Sequence, residues 1–250
     1  MQNDYCSTGY YMSKAGYDVD RLRRPIAPIQ RVLAAARQAG LTIIYTRQYH
    51  VPGAQDEQQE QDGGSFPRTA LKGETGWEII PELAPQADET ILDKTTCSAF
   101  VSTDLHELLK GKAIGTLIFC GNTLDVCVHS TLRSANDLGY DCITLADCCG
   151  AVNDALYEWS LESIKIENGV FGAVMDSAQV IDRLRAISLP KTAPTAPPSM
   201  ILKHFPERLW KILQDQGSTA RGACRAKPES LADGGLYVVM GPTTTDARTS

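Results

Sequence analysis

Short apolar runs alternating with longer amphipathic stretches between residues 25 and 150 constrain this chain more than any other feature. Residues 26–39 set Ile29, Val32, Leu33 and Ala36 at helical spacing, and Gly40 closes the run. Residues 41–46 then read as a short buried strand, and further strands are expected at 90–93, 116–120, 142–146 and 172–174. Helices are expected from near Thr103, from a short loop after Gly121 as far as Gly139, over 155–166, and from a Ser177 cap to residue 184. Thr103 suits an N-cap, with Asp104 favourable at the positive end of the helix dipole. Strands alternating with helices predict an α/β fold, a three-layer sandwich with a mostly parallel central sheet.

Two stretches break this pattern. Residues 51–68 are rich in Gln, Asp and Gly without an apolar period, which predicts a long loop of the kind that forms lids or pocket walls. Beyond residue 184, Pro190, Pro194, Pro197 and Pro198 mark a linker, and only residues 200–215 have a helical pattern, interrupted by Pro206. Charge divides the chain at the same place: 15 basic against 25 acidic residues in 1–184, but 9 against 5 in 185–250. The expectation is a catalytic domain over 1–184 and a Pro-rich linker with a largely disordered basic extension over 185–250. With 250 residues and 43% hydrophobic content the chain can bury a real core. No run approaches the ~18–20 apolar residues of a membrane span. A net charge of −6 and a pI near 5.3 argue against a surface that coats nucleic acid.

The eight cysteines, at 6, 97, 120, 127, 142, 148, 149 and 224, show no paired Cys-x-x-Cys spacing, and several fall in or beside strand-like segments. With no signal peptide at the start, this predicts a reducing, cytoplasmic setting rather than a disulfide framework. The four histidines, at 50, 106, 129 and 204, are too scattered to complete a zinc site with them. Cys120 and Cys142 read as core residues, and Cys148 and Cys149 as a turn near a pocket rim.

Cys127 differs from the others because it follows a strand, Gly121 and a short loop, and opens a helix. Amide groups at a helix start stabilise a thiolate, the nucleophilic form of cysteine, whereas a cysteine elsewhere usually serves as a small buried hydrophobe. Lys94 lies just after the strand at 90–93. In a parallel sheet both strand ends open into one crevice, so a lysine there could lower the thiol pKa and steady developing negative charge. Otherwise it would be a solvated surface lysine.

The residues around these two carry a resemblance. Asp93-Lys-Thr-Thr-Cys-Ser-Ala-Phe100 with Thr103-Asp-Leu105, and Gly121-Asn-Thr-Leu-Asp-Val-Cys-Val128 with Thr131-Leu-Arg133, resemble the isochorismatase-like cysteine hydrolases. Met1-Gln-Asn-Asp-Tyr5 is similar to the end of that family's Asp-x-Gln-x-Asp-Phe motif. Residues 9–32, 75–83, 138–150 and Gly169-Val-Phe-Gly172 resemble the branch that hydrolyses biuret, ureidoacrylate and other carbamoyl compounds, and the likeness covers 1–184 almost continuously.

The resemblance implies Cys127 as nucleophile and Lys94 as its triad lysine. It implies a cis peptide at Asn122–Thr123 and an oxyanion hole made by the amides of Thr123 and Cys127. Tyr5 and Phe100 correspond to aromatic pocket walls, with core packing as the alternative, and Glu167 and Phe171 are candidate substrate contacts. Asp125 reads as a helix-start acceptor. Asp4 matches the second acidic position of the first motif and is not taken as the base. The Asp that serves as base in the family falls two residues before Gln2, ahead of Met1, and the family's first, central strand would precede it. The loop Arg47-Gln-Tyr-His50-Val-Pro-Gly has one histidine where metal-binding relatives have an Asp and two, which predicts no metal; no organic cofactor is implied. Cys97 stands where biuret-cleaving relatives have a basic residue, which argues against biuret itself.

These readings combine into a cysteine-dependent hydrolase of a small carbamoyl or ureido amide, acting through a thioester and expected to form a homo-oligomer. The alternative is an inactive family member that binds a ligand or partner without turnover. That alternative, and an expectation of poor turnover and poor solubility, rest on the strand and Asp that the numbering places before Met1.

Overall fold

The computed structural model describes residues 1–50, 70–188 and 236–241. Four helices open the chain: α1 (Asn3–Cys6), α2 (Tyr11–Lys14), α3 (Val19–Arg23) and α4 (Ile26–Gln38). Then follow β1 (Thr42–Gln48), β2 (Thr90–Lys94), α5 (Leu105–Gly111), β3 (Thr116–Asn122), α6 (His129–Asp137), β4 (Asp141–Gly150), α7 (Asp154–Gly169), β5 (Ala173–Met175), α8 (Ser177–Ser188) and β6 (Leu236–Gly241). The strands form one six-stranded sheet in the order β2-β1-β6-β3-β4-β5, with every neighbouring pair parallel.

Alternate side chains of a strand face opposite sides of its sheet, and here both sides are apolar. Ile43 and Tyr45 of β1, Ile118 and Cys120 of β3, and Ile143 and Leu145 of β4 join one buried cluster. In that cluster lie Ile29, Val32, Leu33 and Ala36 of α4 with Val180, Ile181 and Leu184 of α8. Ile44, Leu117, Phe119 and Cys142 join the other cluster, with Leu105 and Leu109 of α5, Leu132 and Ala135 of α6, and Ile164 of α7. Each fully buried Ile or Leu contributes about 1.5–3 kcal/mol relative to exposure, so the two faces together carry the sandwich.

The middle of the sheet departs from the sequence reading. The place between β1 and β3 is filled by β6, whose Tyr237 pairs with Thr42 on one side and Leu117 on the other, and whose Gly241 pairs with Gly121. Six residues of the segment assigned to a disordered extension therefore form a central strand, and α8 carries the domain past residue 184 to Ser188. The physical reason is the demand of β1 and β3 for a hydrogen-bonding partner in a buried sheet. Leu236-Tyr-Val-Val-Met240, flanked by Gly234-Gly235 and Gly241-Pro242, is a strand-forming run bounded by turn formers. The predicted loop at 51–68 and the helical pattern at 200–215 lie outside the described residues.

Smaller corrections follow the same logic of partners. Cys148 and Cys149 are buried strand residues of β4 rather than a turn. Ser177 does not cap α8 by accepting; its amide and hydroxyl donate to Asp147 at 2.8 and 2.5 Å. Thr103 Oγ1 does accept from the Leu105 amide at 3.1 Å as α5 begins. No helix among the described residues is long and apolar enough to cross a membrane.

Candidate active site

The site forms where β1, β2 and β3 end. After Asn122 the chain passes through a cis peptide to Thr123 and one π-helical turn, Leu124–Val128, before α6 begins. The sequence reading had Cys127 opening the helix directly; the wider turn is a geometry often found at functional positions. Thr123 O accepts from the amides of Val126 and Val128 at 3.3 and 3.2 Å, one on either side of Cys127. Asn122 is held by its Nδ2, which donates to Leu22 O at 2.6 Å. Gly150, paired with Asn122 in the sheet, has to be glycine: a Cβ there would lie 2.5 Å from Asn122 Oδ1.

Lys94 ends β2 and is fully buried. Its Nζ donates to Gln48 Oε1 at 2.6 Å, to Thr96 O at 2.9 Å and to Cys127 Sγ at 3.3 Å. These three acceptors match the three hydrogens of an ammonium group. Behind the sulfur, Thr131 Oγ1 donates to Cys127 O at 2.7 Å and accepts from the Ala99 amide at 3.2 Å, tying the 95–103 loop to α6. Ser98 and Ser134 hydroxyls bond at 2.8 Å along the same seam.

Cys127 is 1% exposed, and this reverses one expectation. Burial pushes its thiol well above the ordinary range, and the hydrogen bond in which the Cys127 thiol keeps its proton toward Cys97 pushes it further; Lys94 opposes both but is the smaller effect. The thiol therefore rests protonated at neutral pH and requires a proton acceptor when it attacks. His129, two residues on, does not compete for the proton: burial, then Arg133, lower it to about 4, and its ring stacks on Trp159 with centroids 5.8 Å apart.

The remaining predicted residues are placed less centrally. Tyr5 is buried within the cluster beneath α4. Phe100 packs against Tyr140 and His106, with ring centroids 5.7 and 6.5 Å away, on the core side of its loop. Glu167 is exposed at a left-handed kink (φ 50°) in α7, and Phe171 lies 3.2 Å beneath the Arg133 guanidinium. Neither touches Cys127 or Lys94 in a described hydrogen bond. Asp125 Oδ1 is buried without a hydrogen-bond partner among the described residues, so it is not the helix-start acceptor read from sequence. Asp4 is structural, because its Oδ2 accepts from the Ala70 amide at 2.5 Å, and Gly76 packs so closely that a Cβ would meet the carboxylate.

Two residues that sequence reasoning passed over stand at the centre. Gln2 is fully buried and its amide clasps the backbone of Gln48 from both sides, accepting from Gln48 N at 2.7 Å and donating to Gln48 O at 2.9 Å and Trp77 O at 2.6 Å. Gln48 in turn holds Lys94. A polar side chain at the last position of an apolar strand was the available signal. Among the described residues no three His, Cys, Asp or Glu side chains are grouped to hold a metal ion.

The isochorismatase domain family matches residues 1–179. The chain is 31% identical over 202 residues to the ureidoacrylate amidohydrolase RutB of Acinetobacter baylyi, covering 73% of this chain and 80% of that protein. It is 34% identical over 162 residues to the protein of the same name from Serratia proteamaculans, covering 59% and 65%. Among solved structures, a cysteine hydrolase from Pseudomonas syringae superposes with a TM-score of 0.63 at 29% identity, covering 74% of this chain and 89% of that one. An N-carbamoylsarcosine amidase from Thermoplasma acidophilum gives 0.58 at 25% identity, covering 71% and 92%.

Proposed function

The chain belongs to the isochorismatase family, and from that premise we propose that it is a cysteine-dependent hydrolase of the C–N amide bond in a small carbamoyl or ureido compound. One observation carries the reading: Lys94 Nζ, at the end of β2, stands 3.3 Å from Cys127 Sγ, in the turn that follows β3, and both residues are buried. The relatives named as ureidoacrylate amidohydrolases support the substrate class.

In this mechanism the sulfur attacks the amide carbon as the thiol proton passes to a general base. The carbonyl oxygen becomes an oxyanion, held by the amides of Thr123 and Cys127 and by the field of Lys94. The C–N bond breaks, ammonia or an amine departs with a proton, and water then cleaves the thioester to regenerate the thiol. A small neutral or anionic substrate suits a lysine and backbone donors. Tyr5, Phe100, Glu167 and Phe171 are retained as candidate substrate contacts. Homo-oligomerisation is supported by Trp159, 59% exposed on α7 with Leu156 and Ile166 also exposed, and a cytoplasmic setting by seven cysteines held as thiols among the described residues.

The test is ammonia release from a panel of small linear amides, ureides and N-carbamoyl amino acids. Turnover of a ureido compound that disappears in Cys127→Ala, with an acyl adduct on Cys127 caught by mass spectrometry, is the expected result. Turnover that survives Cys127→Ala overturns the cysteine mechanism.

A further inference from the structure

We propose that Gln48 is a positioning residue, whose uncharged carbonyl oxygen fixes the Lys94 amine against Cys127 while leaving the lysine's charge free for the sulfur and the oxyanion. The proposal rests on the reading of Lys94 and Cys127 as the reacting pair. Gln48 and Lys94 face each other in register as the last residues of β1 and β2. Both are buried, at 3% and 0% exposure, and their 2.6 Å hydrogen bond is the shortest of the three that Lys94 makes.

The chemical types of the three acceptors matter more than their number. Gln48 Oε1 and Thr96 O are neutral dipoles, which orient an ammonium group without cancelling its charge. Cys127 Sγ is the one partner of the three that can become an anion. A carboxylate at position 48 would make the same hydrogen bond at the same reach. It would also give Lys94 a permanent counter-charge nearer than the sulfur, and would place a second negative charge beside the developing thiolate. The position of Gln48 is itself fixed by atoms other than its own amide. Gln2 holds the Gln48 backbone N and O at 2.7 and 2.9 Å and anchors to Trp77 O, so the β1 end keeps its place when the side chain changes.

The experiment is the rate of Cys127 alkylation by iodoacetamide in the full chain, at one pH, per folded molecule, in Gln48→Glu, Gln48→Met and Lys94→Met. Alkylation needs no substrate, so it separates this proposal from the choice of reaction. Gln48→Met, which keeps the volume and loses the acceptor, is expected to slow the reaction by about threefold to tenfold. Gln48→Glu, which keeps the hydrogen bond, is expected to slow it by about tenfold to a hundredfold, and to lower kcat on the active ureido substrate with little change in KM. A purely structural role predicts the opposite order, with Glu rescuing what Met loses, and that result would overturn the proposal. Should Gln48→Glu not fold, Gln48→Asn replaces it: a shortened amide is expected to lose about threefold, and wild-type rates in both Asn and Met variants overturn the proposal. If Lys94→Met alkylates as fast as the wild type, the Lys94–Cys127 pairing itself falls; if only Lys94→Met is slow, Gln48 alone is misassigned.

Discussion

Two successive rungs of one strand ladder, Arg47–Asp93 and Gln48–Lys94, point to opposite faces of the sheet and use a cation in opposite ways. On the first, Arg47 Nε and Nη2 grip the Asp93 carboxylate at 2.8 and 3.3 Å, and Lys72 joins it at 3.2 Å. The guanidinium also lies 3.7 Å from the Trp77 ring centroid. That rung neutralises its cation in a partly exposed ion pair, about one fifth exposed on each side. On the second rung the cation is fully buried and its partners are an amide, a backbone carbonyl and a thiol. An ion pair fastens two strands; a cation left among dipoles is a group kept ready for a charge that appears during reaction.

The difference is useful only if the Lys94 rung stays at its distance from Cys127, and β6 sets that distance because it separates β1 from β3. The largest expected effect therefore comes from ending the chain at residue 235. β1 and β3 would then face each other across a vacant place, with buried backbone groups on both edges unpaired. The expected outcome is loss of soluble, cooperatively melting protein. A truncated chain that melts within a few degrees of the full one would show that the strand is dispensable and that some other element sets the spacing.

Next in size is the rung itself. Lys94→Met is expected to reduce kcat on a ureido substrate by about a hundredfold to ten-thousandfold, the range for removing one electrostatic element of a preorganised site. Arg47→Met, one residue away on the facing strand, is expected to cost about 1 kcal/mol of stability, read by urea denaturation, while kcat changes less than threefold. Equal losses of kcat in both variants would erase the distinction between the rungs.

How much of this could be read from the residues follows from the range of each interaction. Helix α4 and the strand cores at 42–48 and 116–122 were legible because apolar side chains repeat at periods of 3.6 and 2 within one segment. The approach of Lys94 to Cys127 was legible because one ends a strand and the other follows a strand end on the same edge of a parallel sheet. β6 was passed over although Leu236-Tyr-Val-Val-Met240 has a strand's composition, because a five-residue run after a proline-rich stretch offers no local sign of which strands it will join. The clasp of Gln2 on Gln48 spans 46 residues and uses an amide side chain as a piece of backbone, which leaves no periodic trace. The thiol's raised pKa was missed for a related reason. Position at a helix start argues for stabilisation, but the size of the burial penalty is set by everything packed around the sulfur.

The smallest expected effect sharpens the comparison from the other side of the sulfur. After burial, the hydrogen bond in which the Cys127 thiol keeps its proton toward Cys97 is the next influence that raises it, and Lys94 acts against it. Cys97→Ala removes the raising contact and leaves the lowering one, so the thiol pKa must move down. At a fixed pH below that pKa, a lower value means a larger thiolate fraction, which outweighs the modest fall in nucleophilicity of a less basic sulfur. Iodoacetamide should therefore label Cys127 a fewfold faster in Cys97→Ala than in the wild type. Cys97 is itself partly exposed, so the assignment has to come from peptide mass spectrometry rather than total thiol loss. Slower labelling of Cys127 in Cys97→Ala would mean that the neighbouring thiol donates to a thiolate already formed, and that Lys94 rather than burial decides the state of the sulfur.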